Sequence, residues 1–197
     1  MPALEVVTYG DPALRRKARA LRRASPDLPK LLDDMVDTVQ EAPGVGLAAP
    51  QVGRSVRAIV VVYEEDELRL VNPRITRRRG SVEGIEGCLS LPALQGIVTR
   101  PEAVTVKALT ERMRPQVIEA EGFLARIVCH EIDHLDGRLF VDRADPDSLH
   151  WVVPDEEAEE GYRREPTGLE EALSALEEMR AEGRRLPRAV SEARVAI

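Results

Sequence analysis

Hydrophobic positions recur along this chain with two different periods. Between residues 25 and 40, Leu28, Leu31, Leu32, Met35, Val36 and Val39 return every three to four places, which predicts an amphipathic helix. Ser25 stands where a cap would, and Pro26 suits a first turn. The helix is expected to end before Pro43 and Gly44. A second helical pattern covers residues 123–136, with Phe123, Ile127, Val128, Ile132 and Leu135 apolar and Gly137 as its stop. A third opens at Thr167, where Thr167 and Glu170 fit a capping box. Leu169, Leu173, Leu176 and Met179 form its apolar stripe.

Between the first two helices the period shortens. Arg57 to Tyr63 is an apolar, β-branched run and reads as a buried strand. Leu68–Val71, Gly96–Thr99, Val104–Leu109 and Gln116–Ala120 read as shorter strands, punctuated by Pro and Gly. Residues 44–53, GVGLAAPQVG, read as a small-residue loop. Pro154–Pro166 is acidic and turn-rich, a linker or surface excursion. Strands grouped ahead of a central helix predict an α+β fold with antiparallel sheets around that helix, plus an extra C-terminal helix over about 168–183. The expected division is a catalytic domain over 1–150 and a C-terminal extension over 151–197.

Composition narrows this picture. A length of 197 residues suits one domain, and 43% hydrophobic with 3% aromatic residues means a core of Val, Leu, Ile and Ala. The net charge of −7 is uneven: from Trp151 onward there are 12 acidic and 7 basic residues, against 23 and 21 before it. Nothing there asks for a nucleic-acid substrate. The cluster Arg15, Arg16, Lys17, Arg19, Arg22 and Arg23 reads as a solvated local face. No stretch approaches the ~18 apolar residues of a membrane span. MPALEVVTYG lacks a charged segment followed by an apolar run, so no secretory signal is read and a cytoplasmic location is expected. Cys88 and Cys129 then fit a reducing compartment, as free or metal-bound thiols.

The chemistry is concentrated in three places. His130 and His134 are four apart on the second helix, so their imidazoles leave one face a turn apart and can chelate one divalent ion. Glu131 follows the first histidine, where a carboxylate can reach a metal-activated water. An HExxH sequence also arises by chance on amphipathic helices. A hydrolytic site needs a third ligand and an open position. His150 does not fit the downstream spacing of the metzincins, and the downstream acids lie in the apparent linker and last helix. Upstream, Cys88 in EGCLS is a candidate thiolate, and equally a small buried hydrophobe. In GVGLAAPQ the glycines permit close backbone approach and Gln51 offers an amide donor, although an ordinary turn has the same composition.

Taken in order, GVGLAAPQ, EGCLS and HEIDHLDG resemble the three signature motifs of the peptide deformylases. The opening VVTYGDPALRRKA is similar to that family's first segment, and the resemblance runs from about Leu4 to Arg143. It implies that Cys88, His130 and His134 hold one divalent metal, usually Fe²⁺, with Zn²⁺, Ni²⁺ or Co²⁺ able to replace it. It implies Glu131 as general base for the water that attacks the formyl carbon of an N-formylmethionyl nascent peptide, releasing formate. The Gln51 side chain and the Leu89 backbone N–H would meet the developing oxyanion. Val45, Gly46 and Gly87 match the backbone positions that pair with an extended peptide. Phe123, Ile127 and Val45, with the stem of Glu86, are the candidates for the methionine pocket.

Such a substrate implies proximity to the ribosome. Some bacterial members dock there through a basic C-terminal helix, a role this net-acidic tail does not inherit. Three positions depart from the common pattern. Cys129 stands where Gln is frequent, Gln95 stands where Arg is frequent, and Pro50 occupies a variable position. The alternative function is an HExxH zinc metallopeptidase, for which Cys88 would be dispensable.

Overall fold

The computed structural model describes residues 3–42 and 44–183. Residues 184–197 of the expected extension lie outside that range. Helix α1 (Leu28–Glu41) begins three residues after the periodic pattern. Pro29, not Pro26, supplies the early-turn proline, and the Ser25 side chain is not the cap. Ser25 instead accepts the Leu28 N–H through its carbonyl at 3.1 Å. The apolar stripe of α1 packs on Leu47, Ala58, Val60 and Val71.

GVGLAAPQVG is not a loop. Gly46–Ala48 forms strand β1, and Ala49–Val52 a 3-10 turn ended by Gly53 at φ +72°. Pairing with strand β2 (Ala58–Tyr63) decides this, because Leu47 sits opposite Val60 and is fully buried. Strand β3 (Asp66–Arg79) is far longer than its apolar part. NPRITRRR continues the strand because β6 (Ala103–Leu109) pairs with it across two register shifts, while its side chains stay mostly in solvent. Strand β7 (Pro115–Glu121) completes a five-stranded sheet in the order β1-β2-β3-β6-β7.

The second sheet contains β4 (Val82–Cys88) and β5 (Leu91–Arg100), then β8 (His150–Pro154) and β9 (Tyr162–Pro166), in that order. β4 had no apolar signature because two glycines and two glutamates interrupt it. The segment read as an acidic linker is a hairpin: β8 pairs with β9 from His150↔Pro166 to Pro154↔Tyr162 and joins β5 at Leu94↔Trp151 and Gln95↔His150. Only the turn between the strands carries the acidic run.

Helix α2 (Gly122–Leu135) lies between the sheets. Ala125, Ile127, Val128, Ile132 and Leu135 pack on the five-stranded sheet with Ile59, Val61, Leu70 and Val106. Its other face carries Arg126, His130 and Asp133 toward β4 and β5. Gly137, at φ +73°, ends the run, and a Cβ there would sit 2.7 Å from the Arg15 carbonyl oxygen. Helix α3 (Leu169–Ala181) presents the expected stripe to a separate core with Leu14, Leu91, Leu94 and Val98. The Thr167–Glu170 capping box is not formed, since Gly168 takes the cap position without a side-chain bond. Arg180 anchors the end of α3 by donating to the Gly10 carbonyl at 2.9 Å.

Two features of this fold position the site. Each sheet ends on an edge strand, β1 in one and β4 in the other. The N-terminal segment ties the loops beyond those edges, with Val7 N–H donating to the Gln51 carbonyl and Tyr9 N–H to the Ser90 carbonyl, both at 2.8 Å.

Candidate metal centre

Every residue of α2 from Ala125 to Leu135 is buried. Five of them are polar or charged, a costly arrangement unless each has a partner. His130 and His134 leave one face with ring centroids 5.0 Å apart. The register shift between Gly87 and Cys88 breaks the end of β4, and the Cys88 sulfur lies 3.2 Å from His134 Nε2. One ligand atom from each of Cys88, His130 and His134 falls within 4.8 Å of the others. Four-coordinate Zn²⁺-like geometry places S and N donors about 3.3–3.7 Å apart, so one ion can hold the three after a small inward closure.

The tautomers agree with this. His130 Nδ1 is 3.0 Å from Glu86 Oε2, and a carboxylate only accepts, so Nδ1 carries the proton. That leaves the lone pair on Nε2, which is buried without a partner among the described residues. A buried acceptor left unpaired costs free energy, and an ion held there removes the cost. His134 Nδ1 is also unpartnered, which nothing in the structure explains.

Glu86 is the support behind His130. Arg100 donates to both its oxygens at 2.8 Å, and Arg126 adds a bond of 2.8 Å to Oε1. Burial opposes ionisation, but the bonds from Arg100 and His130 win and hold Glu86 well below the usual carboxylate range. Asp133 stands beyond it, bonded to Arg100 and gripped by Arg143 at 2.6 and 2.8 Å. This carboxylate–arginine framework was missed in the sequence. Its one local signal is Arg126, a cation in the apolar run FLARIV, four residues before His130.

Glu131 has no exposure, and neither oxygen has a partner among the described residues. Burial, aided by the nearby charge of Glu86 and opposed by Arg100, raises its pKa well above the usual value. Burial likewise pushes the Cys88 thiol up to about 12, against bonds from the Ser90 and Leu91 backbone. Burial keeps His134 well below the usual imidazole range. These shifts describe the metal-free protein, in which the thiol keeps its proton.

Gln51 is oriented by its own turn. The Ala48 N–H donates to Gln51 Oε1 at 2.8 Å, which fixes Oε1 as the acceptor and turns Nε2 inward. Nε2 lies 3.5 Å from the Cys88 sulfur and 3.4 Å from Ser90 Oγ. Leu89 directly follows Cys88 in the turn to β5, and its side chain covers Gly44. Gly46, on β1, lies directly over Glu131.

The residues expected at the methionine pocket differ in exposure. Glu86 has no exposed surface and is bonded to Arg100, Arg126 and His130. Ile127 is also fully enclosed, under Gly46. Phe123 is 41% exposed and meets Tyr63 edge-on at 5.2 Å, and Val45 is half-buried nearby. Cys129 packs in the core of the five-stranded sheet and is not in the ligand set. His150 bonds Gln95 at 3.3 Å and the Ser148 carbonyl at 2.9 Å, also outside that set.

Comparison with known proteins agrees with this geometry. The model of the polypeptide deformylase family matches residues 3–149. A peptide deformylase of Natranaerobius thermophilus is 52% identical over 147 residues, covering 74% of this chain and 94% of that protein. A peptide deformylase of Caldicellulosiruptor bescii is 50% identical over 143 residues, covering 73% and 86%. The structure of the peptide deformylase from Thermus thermophilus aligns with a TM-score of 0.71 at 41% identity, covering 97% of this chain and 99% of that one. The likeness to that structure therefore extends well past Arg143, where the sequence resemblance was expected to stop. In fold and across three quarters of its sequence, the chain belongs to the polypeptide deformylase family.

Proposed function

We propose that Cys88, His130 and His134 hold a single Fe²⁺ ion and that Glu131 moves the proton in the reaction of this family. The reaction itself is hydrolytic removal of the N-formyl group from the N-terminal methionine of newly made proteins. The observation that carries the assignment is convergence: three ligand atoms within 4.8 Å of one another, beside an unpartnered buried carboxylate. One thiolate and two imidazoles suit Fe²⁺, Zn²⁺, Co²⁺ or Ni²⁺, and the family resemblance favours Fe²⁺ among them. When bound, such an ion supplies Lewis acidity, which can bring a water's pKa from ~15.7 toward ~7.

The residues do the rest. Glu131 accepts the proton of the attacking water as its oxygen bonds the formyl carbon. Neither of its oxygens is committed to another bond among the described residues, which suits that task. Gln51 Nε2 and the Leu89 N–H donate to the formyl oxygen as it gains charge, each worth about 3–4 kcal/mol. Glu131 then delivers its proton to the amine as the C–N bond breaks, leaving formate and a free N-terminus. The peptide lies between the edge strands β1 and β4 and is added as a strand on the backbone of Gly46 and Gly87, on the sides facing away from β2 and β5, with Val45 just before β1. Backbone pairing tolerates varied sequence, as nascent chains require. Phe123, Val45 and Tyr63 form the apolar seat for the methionine.

Residues 1–150 act as the catalytic unit and 151–197 as an extension, a division supported by the family match ending at residue 149, and Trp151, Leu169, Ala172, Leu173, Leu176 and Met179 of the extension pack on the catalytic unit. No described helix is long and apolar enough to cross a membrane. We place the enzyme in the cytoplasm, close to the ribosome that makes its substrates. Formate release from formyl-Met-Ala-Ser by anaerobically purified protein tests the reading. Turnover is expected with Fe²⁺, Ni²⁺ or Co²⁺, and its absence with all three would sink it. Cys88→Ala should lose the metal, and a variant that keeps both metal and activity would favour a zinc peptidase.

A further inference from the structure

Arg126 is 5% exposed on the metal-bearing helix, one turn before His130. A guanidinium at that depth costs several kcal/mol unless its donors are met. The donors of its two terminal nitrogens are met by two strands, β4 and β5. Nη1 donates to Glu86 Oε1 and to the Val98 carbonyl, both at 2.8 Å, and more weakly to the Gly84 carbonyl at 3.3 Å. Nη2 donates to the Val82 carbonyl at 2.9 Å. The group lies flat on Gly84, where an added Cβ would come 2.8 Å from Nη2 and 2.9 Å from Cζ. The absence of a side chain at residue 84 is what lets the fork reach the strand.

We propose that Arg126 is a positioning residue with two separable tasks, one on the peptide groove and one on the metal. The proposal rests on the deformylase reading of both. On the groove side, Arg126 ties the edge strand β4 to β5 and α2 through the carbonyls of Val82, Gly84 and Val98. An edge strand has neighbours on one side only, so this fork substitutes for the missing partner and keeps the strand straight. The same strand carries Gly87 and ends at Cys88. On the metal side, Arg126 and Arg100 share Glu86 Oε1, and Oε2 takes the remaining Arg100 bond and His130 Nδ1. With both cations in place the carboxylate has one orientation, and so has the imidazole it holds.

The two tasks come apart in substitutions. Arg126→Lys keeps a cation beside Glu86 but cannot bond both strands at once. Gly84→Ala leaves the charge in place and pushes the fork off the strand. Arg126→Met removes both functions. The full-length variants are loaded with Co²⁺ and followed by kcat and KM on formyl-Met-Ala-Ser, by Co²⁺ loss to a chelator, and by the visible Co²⁺ spectrum.

For Arg126→Lys and Gly84→Ala, KM should rise about tenfold while Co²⁺ affinity stays within about twofold. For Arg126→Met, Co²⁺ affinity should also fall about 10–100-fold, with a changed spectrum. Equal loss of Co²⁺ by the Lys and Met variants overturns the division of tasks. Wild-type constants in Arg126→Met overturn the proposal altogether. If Arg126→Met does not fold, the other two variants decide, and an unchanged KM in both overturns it. Unchanged variants beside an active wild type refute this proposal alone. A wild type without turnover refutes the deformylase reading and this proposal with it.

Discussion

Gly46→Ala is a one-carbon change aimed at the proton carrier. A Cβ at residue 46 would stand 2.6 Å from Glu131 Oε1, 3.0 Å from its Cδ and 2.9 Å from Ile127 Cγ2. Ordinary contact needs about 3.4 Å or more, so the carboxylate must retreat by about 0.8 Å. It has little room, because Glu131 and Ile127 are both fully buried on a helix packed from two sides. A misplacement of ~1 Å at a reacting group can cost ~10²-fold in rate, and overpacking of this kind costs about 1–3 kcal/mol in stability. The variant is therefore expected to keep its metal, lose about two orders of magnitude in kcat and unfold at a lower denaturant concentration. Formate release from metal-loaded enzyme, metal content and a denaturant titration measure the three quantities. Gly168→Ala is the control, since an added Cβ there meets nothing within 4 Å and the backbone is not left-handed. A Gly46→Ala enzyme with full metal and a kcat within about threefold of wild type would show that Glu131 does not work from this position.

Other outcomes follow from the same geometry. Glu131→Gln should retain metal and lose about 10²–10⁴-fold in formate release, and a rate within about tenfold of wild type would remove it as the base. Metal affinity should depend on pH with a definite sign. The Cys88 thiol, raised to about 12, is protonated at neutral pH and must give up that proton when it ligates. Affinity should then rise about tenfold per pH unit between about pH 6 and 8 and fall on acidification, while His134, kept neutral by burial, releases nothing. Calorimetry in buffers of different ionisation enthalpy counts the released protons, and zero would contradict the assignment. Leu176, 2% exposed under α3, should cost about 2–5 kcal/mol when cut to Ala, read by denaturant unfolding. A loss under about 0.5 kcal/mol would mean that α3 adds nothing to the core it covers.

The legible parts of the site were the local ones. Two histidines at i and i+4 chelate through helix geometry alone, so α2 and its ligands could be read from residues 123–136. Cys88 and Gln51 could be read only as candidates until the motif resemblance joined them to the histidines, because a lone cysteine and a glutamine carry no periodicity. The framework of Glu86, Arg100, Arg126, Asp133 and Arg143 was not legible as a unit. Its members lie on β4, β5, α2 and the segment beyond α2, and each is meaningful only beside the others. Glu86 shows the consequence. The resemblance offered only its stem as a pocket candidate, and its bond to His130 appears only in space. Strand misreadings had a similar origin. The outer half of β3 and the flanks of the β8–β9 turn are strands because partners pair with them, while their exposed side chains carry charge.

The three proposed ligands come from two cores of the fold. Cys88 belongs to the core under β5 and α3, whereas the helix of His130 and His134 is rooted in the core of the five-stranded sheet. The sulfur and the His134 ring that meet across that boundary are 46 residues apart in sequence. An ion held between them, as proposed, would act as a staple, and closing a loop of that size is worth about 4 kcal/mol by chain entropy. The thiolate is also the ligand most open to oxidation, and a sulfinic acid cannot return to the coordination it left. Damage to the catalyst and loosening of the molecule are then one event. A protein oxidised at Cys88 would lose its hold between the sheets along with its activity, and would present itself to proteases as a partly opened chain instead of persisting as an intact inactive enzyme.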